Sequence, residues 1–407
     1  MVTAFRPLAD VRVLDFTWVG AGAFVTKFLG DLGADIIKIE SRARPDNLRL
    51  SPPYRPGERS IEGSGYFASR NSSKRSFALN MKDPRARSIA LRLAEHVSIV
   101  ASNFRPGVLE QWGLSYEAIY AVNPRIIYLT MPMQGSDGPH AAYSGFGSTI
   151  SALSGLVSLS GLPGRPPVGT GTHFPDHVPN PGHALVAVLA ALLHQRRTGE
   201  GQAIEVSQLE STINVLGPAI VETRMSGFGP SRVGNRSDGS SPRGVFPCLG
   251  EDVWCAISCR TDHDWQALTE ILGHPEWAND HRFGTLLNRK LFEDELERII
   301  ADSTKSRDRG QLVAALRAQA VPAAPVNSSR DVLADPNLIA RGYWQRMSHP
   351  IIGDFTIARP PLRVEGDVIS NLRRPPLLGE HTAEIAREIL DLTDDEIERL
   401  VGEGVMA

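Results

Sequence analysis

Cysteine is rare in this chain. Only Cys248, Cys255 and Cys259 occur among 407 residues, all within one short stretch. An odd number grouped this closely makes no disulfide framework, and no nearby histidines complete a zinc spacing. Buried thiols in a reducing cytoplasm are expected, and no metal site. Long apolar runs are missing too: "ALVAVLAALL" at 184–193 is about half of what a bilayer span needs. The opening "MVTAFRPLADVRVLDF" has no apolar core followed by a small-residue cleavage site, so neither a signal peptide nor a membrane anchor is expected. Neither sign of charge is in excess: 43 Lys and Arg stand against 46 Asp and Glu, a net charge of -3. No global basic field therefore points to nucleic acid, and any anion must be met by a local cluster. Internal repeats and low-complexity segments are also absent.

What remains is ordinary globular composition, 42% apolar and 22% charged, in a chain long enough for two or three domains. "VRVLDF" (11–16) reads as a buried strand. Phe24, Val25, Phe28, Leu29 and Leu32 then keep helical spacing, Gly33 ends the helix, and "ADIIKIE" (34–40) reads as a second strand. Such a βαβ unit has parallel strands and a right-handed crossover. The alternation continues through "ARSIALRLAEHV", "SIVASNF", "LSYEAIYAVN" and "RIIYLTM", which predicts an open, parallel, Rossmann-like α/β sheet over the first 135 residues or so. From 136 to 180 Gly, Ser and Pro dominate, and so long a loop-rich stretch usually carries function. A helix follows, with Asn180 as its cap and Pro181 at its first position. A smaller α/β region opens near 230, with "GEDVWCAISC" as a strand and "TDHDWQALTEILG", "LFEDELERIIADST" and "RGQLVAALRAQAV" as helices. "VPAAPV" (321–326) marks a boundary. The expected domains are 1–220, 221–325, and a segment 326–407 that returns to the first.

The stretch "VGAGAFVTKFLGDLGADIIKIE" (19–40) comes close to a dinucleotide fingerprint, which needs G-x-G-x-x-G and an acid about 20 residues on. Gly20, Gly22 and Glu40 fit, but Val25 replaces the third glycine. On these residues alone a nicotinamide or flavin site, another pyrophosphate, and glycines that merely turn the chain all stay open.

Six segments taken together narrow this. "LADVRVLDFTWVGAGAFVTKFLGDLGADIIKIE", "NSSKRSFALNMKDP", "SNFRPGVLEQWGLSYEAIYAVNPRIIYL", "ALLHQRRTGEGQAIEVSQLES", "ADPNLIARGYW" and "PPLLGEHTAEI" resemble, in order and spacing from residue 8 to about 400, the class III (formyl-CoA and carnitine-CoA type) coenzyme A transferase family. The resemblance implies that CoA passes from an acyl-CoA donor to a small carboxylic acid, with no tightly bound cofactor. It implies Asp176 as the carboxylate nucleophile, forming an anhydride and then an aspartyl thioester. It also implies that Val19, Ala21, Leu79, Lys82, Asn103 and Phe104 lie against CoA, with Arg105 adjacent. Ser41 stands where many relatives carry a basic residue, so Arg42, or else Arg44, is expected to substitute, and Gln111 also stands where some relatives have a basic residue. His173, His177 and His183 crowd the Asp176 loop and are expected to bind a second carboxylate on the acceptor. "SPRGVFP" (241–247) resembles the family's glycine-containing closing segment but has only one glycine. The loop around Asp176 points to a larger acceptor such as a dicarboxylate or aryl acid, with succinyl-CoA as a candidate donor. Family members form interlocked dimers of ring-like chains, so a homodimer is expected, or a hetero-oligomer with a paralogue.

Two rivals stand beside this. An α-methylacyl-CoA racemase needs an acid–base pair for proton transfer, with its histidine in a "GHD" segment. Here "SGFGST" (144–149) puts Phe146 and Gly147 at the positions of His and Asp, and neither can take a proton. The other rival is a non-catalytic subunit of a hetero-oligomeric transferase.

Overall fold

The computed structural model describes residues 5–369 and 372–407. The chain folds into two compact units. The larger runs through Val157 and includes Gly169–Gly229 and Ile339–Ala407; the smaller comprises Ser158–Val168 and Pro230–Leu338. The sequence places its divisions at 220 and 325, whereas those of the structure fall at 229 and 338. The insertion 158–168, within the loop-rich stretch, also joins the smaller unit.

The larger unit is built on six parallel strands: β1 (Arg12–Asp15), β2 (Asp35–Glu40), β3 (Lys74–Ala78), β4 (Ile99–Ser102), β5 (Ile127–Thr130) and β6 (Gln202–Glu205). Their order is β3-β2-β1-β4-β5-β6. The central strands are buried on both faces, which is why they read as continuous apolar runs rather than alternating ones. Val13, Ile36, Ile99 and Ile127 pack on one face with Val25, Leu29 and Val188, from the helices Ala21–Asp31 and Pro179–Thr198. Leu14, Ile37, Val100 and Tyr128 pack on the other with the helix Pro84–Glu95 and the C-terminal helix Thr382–Leu390. That C-terminal segment is tied to β3 and its exit: the Ala78 N–H donates to Thr382 Oγ1 at 2.8 Å, and the Asn80 N–H to the Val405 carbonyl at 2.8 Å.

The long helix starts earlier than its sequence suggests. Pro179 occupies the first turn, and the buried Asn180 is not a cap. Its side chain instead donates to Gln208 Oε1 at 3.3 Å, so tertiary packing has claimed a residue whose local preference is capping.

In the smaller unit, strands β7 (Arg243–Pro247), β8 (Trp254–Ser258) and β9 (Ala323–Pro325) form an antiparallel sheet. Cys248, Cys255 and Cys259 are free and buried in its core. Burial pushes the thiols of Cys255 and Cys259 up to about 12, so neither is a reactive thiolate at neutral pH. "SPRGVFP" is ladder-bonded strand rather than free loop, with Arg243 to Pro247 paired to Ser258 to Trp254.

Candidate active site

Strand order reverses between β1 and β4, and the loops leaving these strands diverge there. In open α/β sheets this crevice beyond the strand carboxyl ends is where ligands bind. The loop after β1 carries Trp18 to Ala21, and the loop after β4 carries Asn103 to Arg105. Buried charge holds the first loop. Lys38 Nζ meets Asp46 Oδ2 at 3.0 Å and donates to the Thr17 carbonyl at 2.7 Å. Asp46 Oδ1 accepts from the Val19 N–H at 3.1 Å. Asn103 clamps Trp18 from the other side, accepting from its N–H at 2.8 Å and donating to its carbonyl at 2.7 Å. Val19 is thereby kept at φ 60°, a strained conformation for a β-branched side chain, of the kind that clusters at functional sites.

Asp176 lies in the short helix Phe174–His177, at 5% exposure. Two glycines make room for it. A Cβ on Gly20 would sit 2.7 Å from Asp176 Oδ2, and one on Gly147 would sit 2.6 Å from the same oxygen. Burial pushes the Asp176 carboxyl up to about 6, against the pull of His173, the Gly147 N–H that donates to it, and Arg70. Such a carboxylate is ionised at neutral pH yet more basic than an ordinary one.

The dinucleotide-like features thus have other work. Gly20 opens space for a carboxylate. Gly22 opens space for Thr17 and Asn103, which a Cβ would meet at 2.7 and 3.0 Å. Glu40 is held by Arg49, at 2.7 and 2.9 Å, and by Ser76 Oγ at 2.9 Å, so its oxygens are occupied by protein donors rather than free for a ribose.

One side of Asp176 opens into a cavity of about 460 Å³. Val19, Ala21, Leu79, Lys82, Asn103, Phe104, Arg105 and Asp176 all line it. Lys82, Arg105 and Arg44 are exposed at this cavity, and none makes an ion pair with a described residue. Arg42 is not among the lining residues: its N–H reaches the Ala407 carbonyl at 3.4 Å, and Arg44 takes the position expected of it, 5.5 Å from the Trp18 ring. Asn103 reaches the cavity, but its amide is engaged by Trp18. Sequence reasoning did not single out Trp18 and Trp112. With Phe104 they form an edge-to-face chain of rings at 5.2 and 5.5 Å along the wall. Phe146 and Gly147 line the cavity as well.

His183 separates from the other two histidines. His173 and His177 line a second cavity, of about 480 Å³. His183 lines neither: its Nδ1 lies 2.8 Å from both the Pro179 carbonyl and Ser211 Oγ, because one turn into the long helix it faces the helix Gln208–Asn214. Burial, with Arg70 and His173 adding to it, pushes His177 down to about 4, so it is neutral at pH 7. A cationic trio gripping a carboxylate is therefore not what the chain builds. Among the described residues no group of His, Cys, Asp and Glu is arranged to hold a metal ion, and no helix is long and apolar enough to cross a membrane.

A buried, basic carboxylate beside a long cavity ringed by unpaired cations suits acyl exchange on an anionic carrier. A model of CoA-transferase family III matches residues 8–382, and the chain belongs to that family. It is an enzyme that transfers CoA from an acyl-CoA to a carboxylic acid. It is 35% identical, over 98% of its length, to a probable CoA-transferase of Mycobacterium tuberculosis, of which it spans half. It is 31% identical to a succinyl-CoA–D-citramalate CoA-transferase of Chloroflexus aurantiacus, with 98% of each chain covered. The crystal structure of a CAIB/BAIF family protein from Brucella suis superposes with a TM-score of 0.85 at 32% identity, covering 94% of this chain and 99% of that one.

Proposed function

We propose that this enzyme exchanges CoA between succinyl-CoA and a second dicarboxylic acid through covalent intermediates on Asp176. The observation that carries the reading is the Asp176 carboxylate itself, buried at the wall of the first cavity in space that Gly20 and Gly147 leave open. Its oxygen attacks the thioester carbonyl, the carbon–sulfur bond breaks, and CoA leaves as thiolate, giving a mixed anhydride. The thiolate then attacks the aspartyl carbonyl, the first acid leaves as carboxylate, and CoA is held as an aspartyl thioester. The acceptor carboxylate repeats both steps in reverse, so the thioester bond's energy passes between acids without hydrolysis. Lys82 meets a phosphate of CoA as an exposed point charge, and Arg44 and Arg105 as exposed guanidinium forks. Trp18, Phe104 and Trp112 offer an apolar wall to the rest of the carrier. The name of the Chloroflexus relative supports succinyl-CoA as donor and a dicarboxylate as acceptor. The racemase reading lacks support: Phe146 and Gly147 cannot carry protons, and His177, pushed down to about 4, is a weak base.

The working form is a homodimer, whose chains interlock as the family resemblance implies. On the larger unit Val186, Leu193, Ile220, Met225 and Phe228 are exposed along the helices Pro179–Thr198 and Gly217–Ser226 and the turn after them, Met225 at 84% and Phe228 at 80%. An apolar patch of that kind calls for a second chain. The test is a panel of dicarboxylates and aryl acids incubated with succinyl-CoA and read by mass spectrometry of the CoA esters formed. A parallel incubation holds a 2-methylacyl-CoA in D₂O. Ester formation from a dicarboxylate without deuterium uptake is expected. Rapid α-exchange without acyl transfer would replace the reading with the racemase.

A further inference from the structure

The second cavity is lined by one arginine that makes no ion pair with a described residue. Arg70 closes the helix Gly65–Arg70 and lines this cavity with Tyr66, Ser148, Ser151 and Thr172. Its guanidinium stands 4.6 Å from the Phe24 ring centre and 5.8 Å from that of Tyr66. Among the described residues it makes no ion pair, and its Nε is buried with no hydrogen-bond partner. Arg70 is half-buried, and Arg232 and Arg359 share its unpartnered Nε but line neither cavity, whereas the buried arginines are matched. Arg49 pairs with Glu40, Arg75 with Asp35, and Arg289 with Asp262. A guanidinium partly withdrawn from water without a paired anion is costly, and burial lowers the Arg70 pKa against the opposing pull of Tyr66 and Asp176. Ser148, His173 and His177 line this cavity, and their chain neighbours Gly147 and Asp176 pack on each other, a Gly147 Cβ falling 2.6 Å from Asp176 Oδ2, so cavity and carboxylate are neighbours. A neutral His177, whose Nε2 is buried and unpartnered, supplies a further polar contact without a second charge.

We propose that this cavity is the subsite for the distal carboxylate of the exchanged acids, bound by Arg70, which thereby sets selectivity for dicarboxylates over monocarboxylates. The proposal deepens the function proposed above and rests on transfer at Asp176. Exchange is symmetrical, so the leaving and the entering acid occupy the same place in turn. One arginine therefore recognises both the succinyl group of the donor and the second carboxylate of the acceptor. A guanidinium matches a carboxylate through two parallel N–H bonds, a geometry that no ammonium reproduces.

The experiment compares kcat/KM for glutarate and for pentanoate, two five-carbon acids, with succinyl-CoA as donor. Wild type should favour glutarate by on the order of 10- to 100-fold, the worth of a charge-assisted contact. Arg70→Met should bring the ratio close to one, chiefly through a higher KM for glutarate, and Arg70→Lys should recover part of it. Taking a ratio removes any general loss caused by the substitution. Asp176→Asn should lose transfer to both acids; if it does not, the aspartyl route fails while the ratio still reports on Arg70. Should Arg70→Met not fold, the wild-type and Arg70→Lys ratios decide. A wild-type ratio near one, no transfer to glutarate, or a ratio that Arg70 substitution leaves unchanged would overturn the proposal.

Discussion

The two cavities, the first lined by Asp176 and the second by its chain neighbours His173 and His177, are of similar size, about 460 and 480 Å³, and differ in how they carry positive charge. The first has three exposed cations, Arg44, Lys82 and Arg105, along a wall of aromatic rings. Exposed charges cost little to leave unpaired, so they suit phosphates that come and go with their own hydration. The second has one half-buried guanidinium, its Nε withdrawn from water, and a neutral histidine. Withdrawn charge discriminates, because leaving it unmatched is expensive. On the function proposed above, the carrier occupies the first cavity and the second chooses the acid.

Removing Asp176 should have the largest effect. Asp176→Asn keeps the shape and removes the nucleophile, which commonly costs on the order of 10⁴-fold or more in kcat. Steady-state assays with saturating succinyl-CoA check this; residual turnover within about tenfold of wild type would remove Asp176 from the mechanism.

Shifting the same group should cost less. In Gly147→Ala the new Cβ meets Asp176 Oδ2 at 2.6 Å, and the carboxylate, as the end of a rotatable side chain, gives way. Misplacement with loss of the Gly147 N–H bond should lower kcat by about 10²-fold. Melting temperature should hardly move, since little else is disturbed. A variant with wild-type kcat would mean that the present carboxylate position is not the reactive one.

On the carrier side, Lys82→Ala should raise the KM for acyl-CoA about five- to hundred-fold with a smaller change in kcat. An unchanged KM would return Lys82 to the solvated surface and weaken the contrast between the cavities.

The smallest effects concern ionisation. With Asp176 at about 6 in the folded chain against an ordinary 3.8, the rate should fall as pH drops below about 6, about tenfold per unit. Stability should respond in the opposite sense. The folded chain keeps this proton between pH 3.8 and 6, where the unfolded chain has released it, so this carboxyl's contribution declines as pH rises through that window. Above pH 6 the buried charge costs about 1–3 kcal/mol, and Asp176→Asn should be more stable than wild type by that amount at pH 8. Thermal melts at pH 8 and pH 5 test it, with the gain shrinking at the lower pH.

The parallel sheet was legible because strands buried on both faces leave continuous apolar runs such as "ADIIKIE", and intervening helices keep their spacing. The glycine loop was legible as a site but not in its detail. Gly20 and Gly22 imitate a pyrophosphate loop, and only the fold shows that Asp176, 156 residues after Gly20, occupies the space a Cβ would fill. Arg70 was not legible at all, since nothing local separates an unmatched arginine from Arg49 or Arg75 until their partners are seen. His183 misled for a related reason: closeness in sequence to Asp176 does not survive one turn of helix, which rotates the ring toward Ser211.

The most direct measurement is the intact mass of the protein after incubation with succinyl-CoA and no acceptor acid. A covalent exchange on Asp176 predicts a gain of one CoA less one water, located to the peptide bearing Asp176, discharged by hydroxylamine and absent from Asp176→Asn. An unmodified mass under conditions where the same preparation transfers CoA to an added acid, or an adduct on any other residue, would contradict the account.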